Sequence, residues 1–226
     1  VENLTKRKIR QEVGAHLDPD LVESMYRRLP GWRPIFGQDG TAQIHLMNSD
    51  VGVGDLFLFF GWFRQTEITD GTYRFVRGAR DLHVIFGWLQ IDELLCVEEI
   101  GSNIPAWAEY HPHFHKESEG NNTVYIARDK LLLAGIPAGI AGGGTFDSYN
   151  DRLCLTAPGH TRSVWRLPKW FFPKDGRTPL TYHANMDRWT VTKDQAILQS
   201  AHRGQEFVLD IDQYPEAIEW VCSLFN

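Results

Sequence analysis

Two stretches decide the fold: Leu56-Phe-Leu-Phe-Phe-Gly-Trp62 and Leu82-His-Val-Ile-Phe-Gly-Trp-Leu-Gln-Ile91. Each is a nearly unbroken apolar and aromatic run, short for a helix and rich in residue types that favour strands. A strand that is apolar on both sides needs cover on both faces. The two are therefore expected to be central, adjacent and antiparallel, joined through a strand at Thr72–Val76. Val51-Gly-Val-Gly-Asp55 and Asp70-Gly71 supply the turns. Both runs contain Phe-Gly-Trp, and a glycine inside a strand marks a bulge or a close approach to the backbone.

Working outward, Asp18-Pro19-Asp20 followed by Leu21, Val22, Met25 and Leu29 predicts a capped helix stopped by Pro30-Gly31. Ala42–Met47 reads as a short strand, as do Thr123–Ala127, Leu153–Thr156 and Gln205–Leu209. Gly135–Gly144 reads as a turn-rich connection, residues 186–203 as a mixed helix, and Pro215–Phe225 as a final short helix. The expected class is α+β, a small curved sheet or β-barrel core with helices at both ends. One domain is expected over residues 1–226: a helical segment at 1–31, a core at 42–135, and a C-terminal extension at 136–226 packed on it. The first residue is Val1, so a longer parent chain is expected.

Composition excludes several classes. The 226 residues carry 29 acidic against 23 basic side chains, a net charge of −6, which argues against coating long stretches of nucleic acid. No apolar run approaches the ~20 residues of a membrane span. Cys96, Cys154 and Cys222 are scattered, with no C-x-x-C pair, so neither a disulfide scaffold nor a cysteine zinc cage is expected. A reducing, cytoplasmic setting follows. Gly52-Val-Gly54 and Gly142-Gly-Gly144 lack the remaining residues of nucleotide-phosphate loops.

Four groupings have chemical potential. His16-Leu-Asp18-Pro-Asp20 gathers an imidazole and two carboxylates and reads as an acid–base or metal corner, against a helix cap that accounts for Asp18 and Pro19; His45 and Glu206 are further acid–base candidates. His111-Pro-His113-Phe-His115 places imidazoles two apart, with Glu119 beyond, but alone falls short of three or four convincing ligands. No resident metal and no cofactor are therefore expected, with His111, His113 and His115 the weak candidates. Arg203-Gly-Gln205-Glu206 gathers groups able to read a base edge. Arg162, Trp165, Arg166, Lys169, Trp170, Phe171, Phe172, Lys174 and Arg177 stand with one acid, Asp175. Cationic heads can hold phosphates while aromatic faces stack bases, which makes Arg162, Arg166 and Lys169 the phosphate-binding candidates. The competing reading is a buried aromatic core with snorkelling cations.

Val51-Gly-Val-Gly-Asp-Leu-Phe-Leu-Phe-Phe-Gly-Trp-Phe-Arg64 resembles the central motif of the bacterial and phage family called nucleotide modification associated domain 3. So do Ala15-His-Leu-Asp-Pro-Asp-Leu21, Phe36-Gly-Gln38 with Ala42-Gln43 and His45-Leu46, and Leu82 to Gln90. The resemblance continues through His111-Pro-His113, Asn121-Asn-Thr-Val-Tyr125, Ser163-Val-Trp-Arg-Leu-Pro168 and Arg203-Gly-Gln-Glu-Phe207. It implies a component of a DNA base-modification system and brings no assigned reaction. Gly54-Asp55 before an apolar strand, with Leu82–Asp92 after a hairpin, is similar to the PUA/EVE/ASCH superfamily, which implies a PUA-like barrel with a pocket for a modified base. On this reading Gln43, Trp62, Phe63, Arg64, Trp88, Asn121, Asn122 and Gln205 are the base- or nucleotide-binding candidates. The expected function is recognition of nucleic acid or a modified nucleobase within a DNA-modification or phage-defence system. An enzyme acting on a base or nucleotide through His16, Asp18, His45 and Glu206 is the alternative, and a protein-interaction module the third. The expected partner is nucleic acid or a nucleotide, with no membrane.

Overall fold

The computed structural model describes residues 4, 16–116, 120–201 and 206–226. In chain order its first elements are β1 (Ile35–Gln38), α1 (Gly40–Asn48), β2 (Leu56–Phe63), β3 (Thr66–Thr69), β4 (Thr72–Phe75), β5 (Leu82–Cys96) and α2 (Val97–Ile100). There follow β6 (Thr123–Ala127), β7 (Gly143–Thr145), β8 (Val164–Pro168), β9 (Trp189–Val191), β10 (Gln195–Gln199) and α3 (Glu216–Leu224). The class is α+β, built on antiparallel sheets.

The main sheet runs β1-β6-β5-β2, with β7 added on β5. β2 pairs with β5 from Leu56↔Gln90 to Phe63↔Leu82, adjacent and antiparallel as the two apolar runs require. The unbroken apolar character of β2 has a direct cause. Phe57 and Phe59 pack with Leu89, Ile91 and Tyr125 in one core cluster, while Leu58 and Phe60 pack with Val84, Leu153 and Trp165 in another. Successive side chains thus enter cores on opposite faces. In β6 all five residues are buried for the same reason: Tyr125 and Ala127 join the first of these clusters, while Val124 and Ile126 join Ile35 and Ala108 on the other face.

Several expectations are corrected. β1 and β2 end the sheet without pairing to each other, so it is curved and open and no barrel closes. The edge position of β2 leaves Trp62 63% exposed at its end. Thr72–Phe75 is a strand, but it pairs only with β3, in a hairpin outside the main sheet. Residues 21–29 form one 3-10 turn at Glu23–Met25 in place of a helix. Met25, Tyr26 and Leu29 stay exposed, and the Val22 and Glu23 carbonyls accept from the Arg28 guanidinium instead of from a helix ladder. Ala42–Met47 lies in a helix, α1, whose inner face is Gln43 and Leu46, with Ile44 and Met47 outside. The alternation of Ala42, Ile44 and Leu46 imitates a strand, but helical spacing decides which side chains are covered. Residues 186–199 fold as a 3-10 turn and the strands β9 and β10, which join β8 in a second sheet. Trp189, Ala196 and Leu198 enter the core from it. Glu206–Leu209 is not a strand, and Gln205 lies outside the described residues. The helix at the C-terminal end is present as α3.

The Gly142–Gly144 run serves close packing. A Cβ on Gly142 would sit 2.1 Å from the Arg128 carbonyl oxygen, and one on Gly144 3.1 Å from the Trp88 ring. Gly142→Ala is expected to cost ~1–3 kcal/mol through overpacking, measured by urea unfolding. Gly52→Ala, whose Cβ would meet only the Asp50 oxygen at 3.8 Å, is the near-neutral comparison; equal losses in the two would refute this account.

His183 is fully buried, with Nδ1–H donating to the Thr181 carbonyl at 2.8 Å and Nε2 accepting from the Ala201 N–H at 3.0 Å. Burial, aided by Arg188, holds its pKa below the ordinary 6.5 despite the bond to Thr181. Protonation would also turn Nε2 from acceptor to donor against an N–H. The unfolded chain therefore takes up this proton more readily, so the stability contribution is full above pH 6.5 and is lost as pH falls below it. The melting temperature of His183→Gln should be lower at pH 7 and change less than wild type between pH 7 and 5. A steeper fall in the variant would contradict this.

Candidate functional site

The clearest convergence of chemical groups forms where the 16–20 segment runs beside β1. Asp20 and Ile35 exchange both backbone hydrogen bonds, each at 2.9 Å. Two residues back, Asp18 Oδ1 accepts the Gly37 N–H at 2.9 Å. This pins the Asp18 carboxylate next to the loop that follows α2. There His113 Nε2 lies 3.2 Å from Asp18 Oδ2, and His111 Nε2 lies 3.5 Å from Asp18 Oδ1. His16 completes the group: one ligand atom each from His16, Asp18 and His113 lies within 4.8 Å of the others. His16 is exposed, whereas His113 is buried and Asp18 nearly so.

A second network holds the loop in register. Asp20 is buried and takes Arg28 on Oδ1 at 2.6 Å and the Tyr110 hydroxyl on Oδ2 at 2.5 Å. Trp32 Nε1 donates to the same hydroxyl at 2.8 Å, and the Arg28 guanidinium lies over the Trp32 and Tyr110 rings. Burial and the bond to Asp20 push the Tyr110 phenol up to about 12. Since Tyr110 immediately precedes His111, this network sets where the two imidazoles stand.

Asn122 orients His113. Its Nδ2 donates to the His113 carbonyl at 2.8 Å, so its Oδ1, 2.6 Å from His113 Nδ1, must accept. His113 thus carries its proton on Nδ1 and turns Nε2 toward Asp18. Burial would lower the His113 pKa, but Asp18 and Asn122, with Asp39 at longer range, raise it overall. Burial would raise Asp18, and the neighbouring His111 and His113 rings with the Gly37 N–H outweigh it, leaving the carboxyl below the usual range. His111 is fully buried, and neither ring nitrogen has an aligned hydrogen-bond partner. Its Nε2 is at ion-pair distance from Asp18 without hydrogen-bond geometry.

The other acid–base candidates have partners outside this group. Gln38 Nε2 donates to Glu206 Oε1 at 3.3 Å, and His45 Nε2 lies 3.1 Å from Thr181 Oγ1 with its ring 4.5 Å from Tyr182. His115 is turned to the Glu109 carbonyl and takes no part in the imidazole–Asp18 group. Glu119 and Gln205 lie outside the described residues.

Most of the proposed base readers have structural duties. Gln43 is buried and accepts from the Tyr125 hydroxyl at 2.8 Å; Asn122 is buried on His113; Asn121 accepts from the Gly40 N–H at 2.9 Å. Trp88 is buried against Phe146 and Phe225, with its N–H on the Ala141 carbonyl at 2.9 Å, so it offers no open stacking face. Trp165 and Phe171 are likewise core, which settles most of the 162–177 stretch as aromatic core with cations at its rim. Arg166 alternates outward from Trp165 and Leu167, Lys169 donates to the Lys193 carbonyl, and Arg177 forks onto Glu216.

Trp62, Phe63 and Arg64 have a different fate. Trp62 and Phe63 are 63% and 44% exposed, Arg162 stands over the Trp62 ring at 4.1 Å, and Arg64 over the Phe75 ring at 4.7 Å. The β3–β4 hairpin beside them exposes Ile68, Tyr73 and Phe75. Residues 62–80 carry four arginines, Arg64, Arg74, Arg77 and Arg80, against Glu67 and Asp70. Elsewhere a cleft of about 380 Å³ is lined by Trp32, Arg33, Arg128 and Lys130, but its arginines are paired with Asp92 and Glu93 and Lys130 donates to the Gly139 carbonyl. Among the described residues no helix is long and apolar enough to cross a membrane.

Gly37 is a requirement of the imidazole group. A Cβ there would fall 2.3 Å from the His113 ring. Gly37→Ala should move the His113 imidazole resonances in a two-dimensional NMR spectrum and lower the melting temperature; unmoved resonances would show that the ring does not rest on this glycine.

No curated protein and no solved structure matches the chain. The profile of nucleotide modification associated domain 3 matches residues 1–210. That match takes in β1, the imidazole–Asp18 group, the exposed Trp62 edge and both sheets, and on it the chain belongs to the nucleotide modification associated domain 3 family.

Proposed function

We propose that this chain recognises nucleic acid within a nucleotide-modification system, and that it does so at the Trp62 edge. The observation that carries the reading is Trp62 itself: a tryptophan largely open to solvent, with Arg162 over one face of its ring. An open aromatic face stacks on any base, and a guanidinium beside it neutralises phosphate. Phe63, Arg64 and the β3–β4 hairpin extend the same chemistry along one edge. The surface is locally basic inside an acidic chain, so it supports a short contact in place of a long coat. With Gln43 and Asn122 engaged internally, the edge offers stacking and charge more than base-edge reading. That favours single-stranded or opened nucleic acid, bound with little sequence preference.

Trp62→Ala should weaken binding of a mixed-sequence single-stranded DNA by ~1–3 kcal/mol, as expected for one lost stacking contact. Arg162→Gln should lower the salt slope by about 0.7, the value for one phosphate contact on a single strand. Because Trp62 is exposed, its removal should leave the melting temperature close to wild type. Fluorescence anisotropy over a salt series measures both quantities. Affinity and slope unchanged in both variants would remove nucleic acid from this edge.

A further inference from the structure

The His16, Asp18 and His113 group turns ligand-type atoms from two separate segments toward one point. The Asn122 bonds fix the His113 proton on Nδ1, so the Nε2 lone pair of neutral His113 is aimed at a carboxylate oxygen. His111 Nε2 stands 3.5 Å from the other carboxylate oxygen, buried, with neither ring nitrogen in an aligned hydrogen bond. A cation among these groups resolves the arrangement, because every donor then points at positive charge.

The spacing agrees. Donors bound to one ion at ~2.1 Å, at tetrahedral to octahedral angles, stand roughly 3.0–3.4 Å apart. The His113–Asp18 separation of 3.2 Å falls in that range. The amide of Asn122 on the far nitrogen of His113 is the outer support that metal-binding imidazoles commonly have. Two imidazoles and one carboxylate suit first-row transition metals better than magnesium or calcium, which prefer all-oxygen surroundings.

We propose that His16, Asp18 and His113 bind one divalent first-row transition metal ion, with buried His111 standing beside the same carboxylate. The exposed side at His16 leaves coordination positions for water, as in metal sites that perform chemistry and unlike closed structural ones. Neither half of the site has enough ligands: residues 16–18 supply two and the 111–113 turn supplies one. The inference does not rest on nucleic-acid binding at Trp62, and its test contains no nucleic acid.

The test is equilibrium dialysis of untagged, chelator-stripped full chain against Zn²⁺, Mn²⁺ and Co²⁺ separately, with the visible spectrum of the Co²⁺ form. At least one of these ions is expected to bind at one equivalent, and bound Co²⁺ should show ligand-field bands. Asp18→Asn and His113→Gln should each weaken binding at least tenfold, while His115→Gln should not. His16→Gln, at an exposed position and so tolerated by the fold, should also weaken binding at least tenfold, which keeps the test decisive if the buried variants misfold by circular dichroism. Failure of all three ions to bind stoichiometrically would overturn the proposal, as would binding that is unchanged in His16→Gln.

Discussion

The fold depends on one strand that cannot stay straight. β5 pairs with β2 on one side and with β7 on the other as far as Gln90, then passes an irregularity between Ile91 and Glu93 and pairs with β6. Its backbone also receives Leu153 and Leu155 from the chain leading to the second sheet, through Ile85 and His83. An extra residue in one strand of an antiparallel pair bends it and increases its twist. Here that bend lets one strand belong to two surfaces: its first half faces the Trp165 core, and its second half carries β6 and β1 toward the histidine turn. The order of the sheet, its failure to close, and the separation of the Trp62 edge from the Asp18 group all follow from where β5 changes partners.

What β5 positions, buried polar groups then lock. The Asp20–Arg28–Tyr110 network joins the 16–33 segment to the turn before His111 with charge-assisted bonds and stacked rings. Buried groups of this kind hold a geometry because leaving any one of them unpaired is costly. Asn122 extends the same logic to the imidazole ring. Tyr110, Asn122 and Gly37 thus act together as a frame: one sets the turn, one sets the ring, and one leaves room for it.

β2 and β5 were legible because their apolar runs exceed anything a one-faced element needs, and the structure packs them on both faces; β9 and β10, short and without such runs, were not. The helices were less so than β2 and β5. In α1 the apolar residues alternate by chance while a glutamine occupies the buried face, held there by the Tyr125 hydroxyl, and no periodicity argument anticipates that. The two Phe-Gly-Trp motifs are identical in sequence and opposite in fate. Trp88 lies mid-strand under Phe146 and Phe225, and Trp62 lies at the end of a terminal strand. Position in the sheet separates them, and that is a property of the whole chain. The same holds for His16, Asp18, His111 and His113. Each short motif was visible, but their meeting depends on the Asp20–Ile35 bridge and the Tyr110 anchor, which spacing along the chain does not encode. Trp165 and Phe171 were legible as aromatic and cationic company, yet burial makes them core.

The β3–β4 hairpin pairs with no other strand of either sheet. A lone two-stranded ribbon draws little stability from itself, so bending or swinging it disturbs few interactions elsewhere. The two ends of this surface therefore differ mechanically. At the Trp62 end, β2 is stitched along its length to β5 and gives a stiff datum; at the Tyr73 end, the ribbon is compliant. The same edge is thus a rigid rail that ends in a spring.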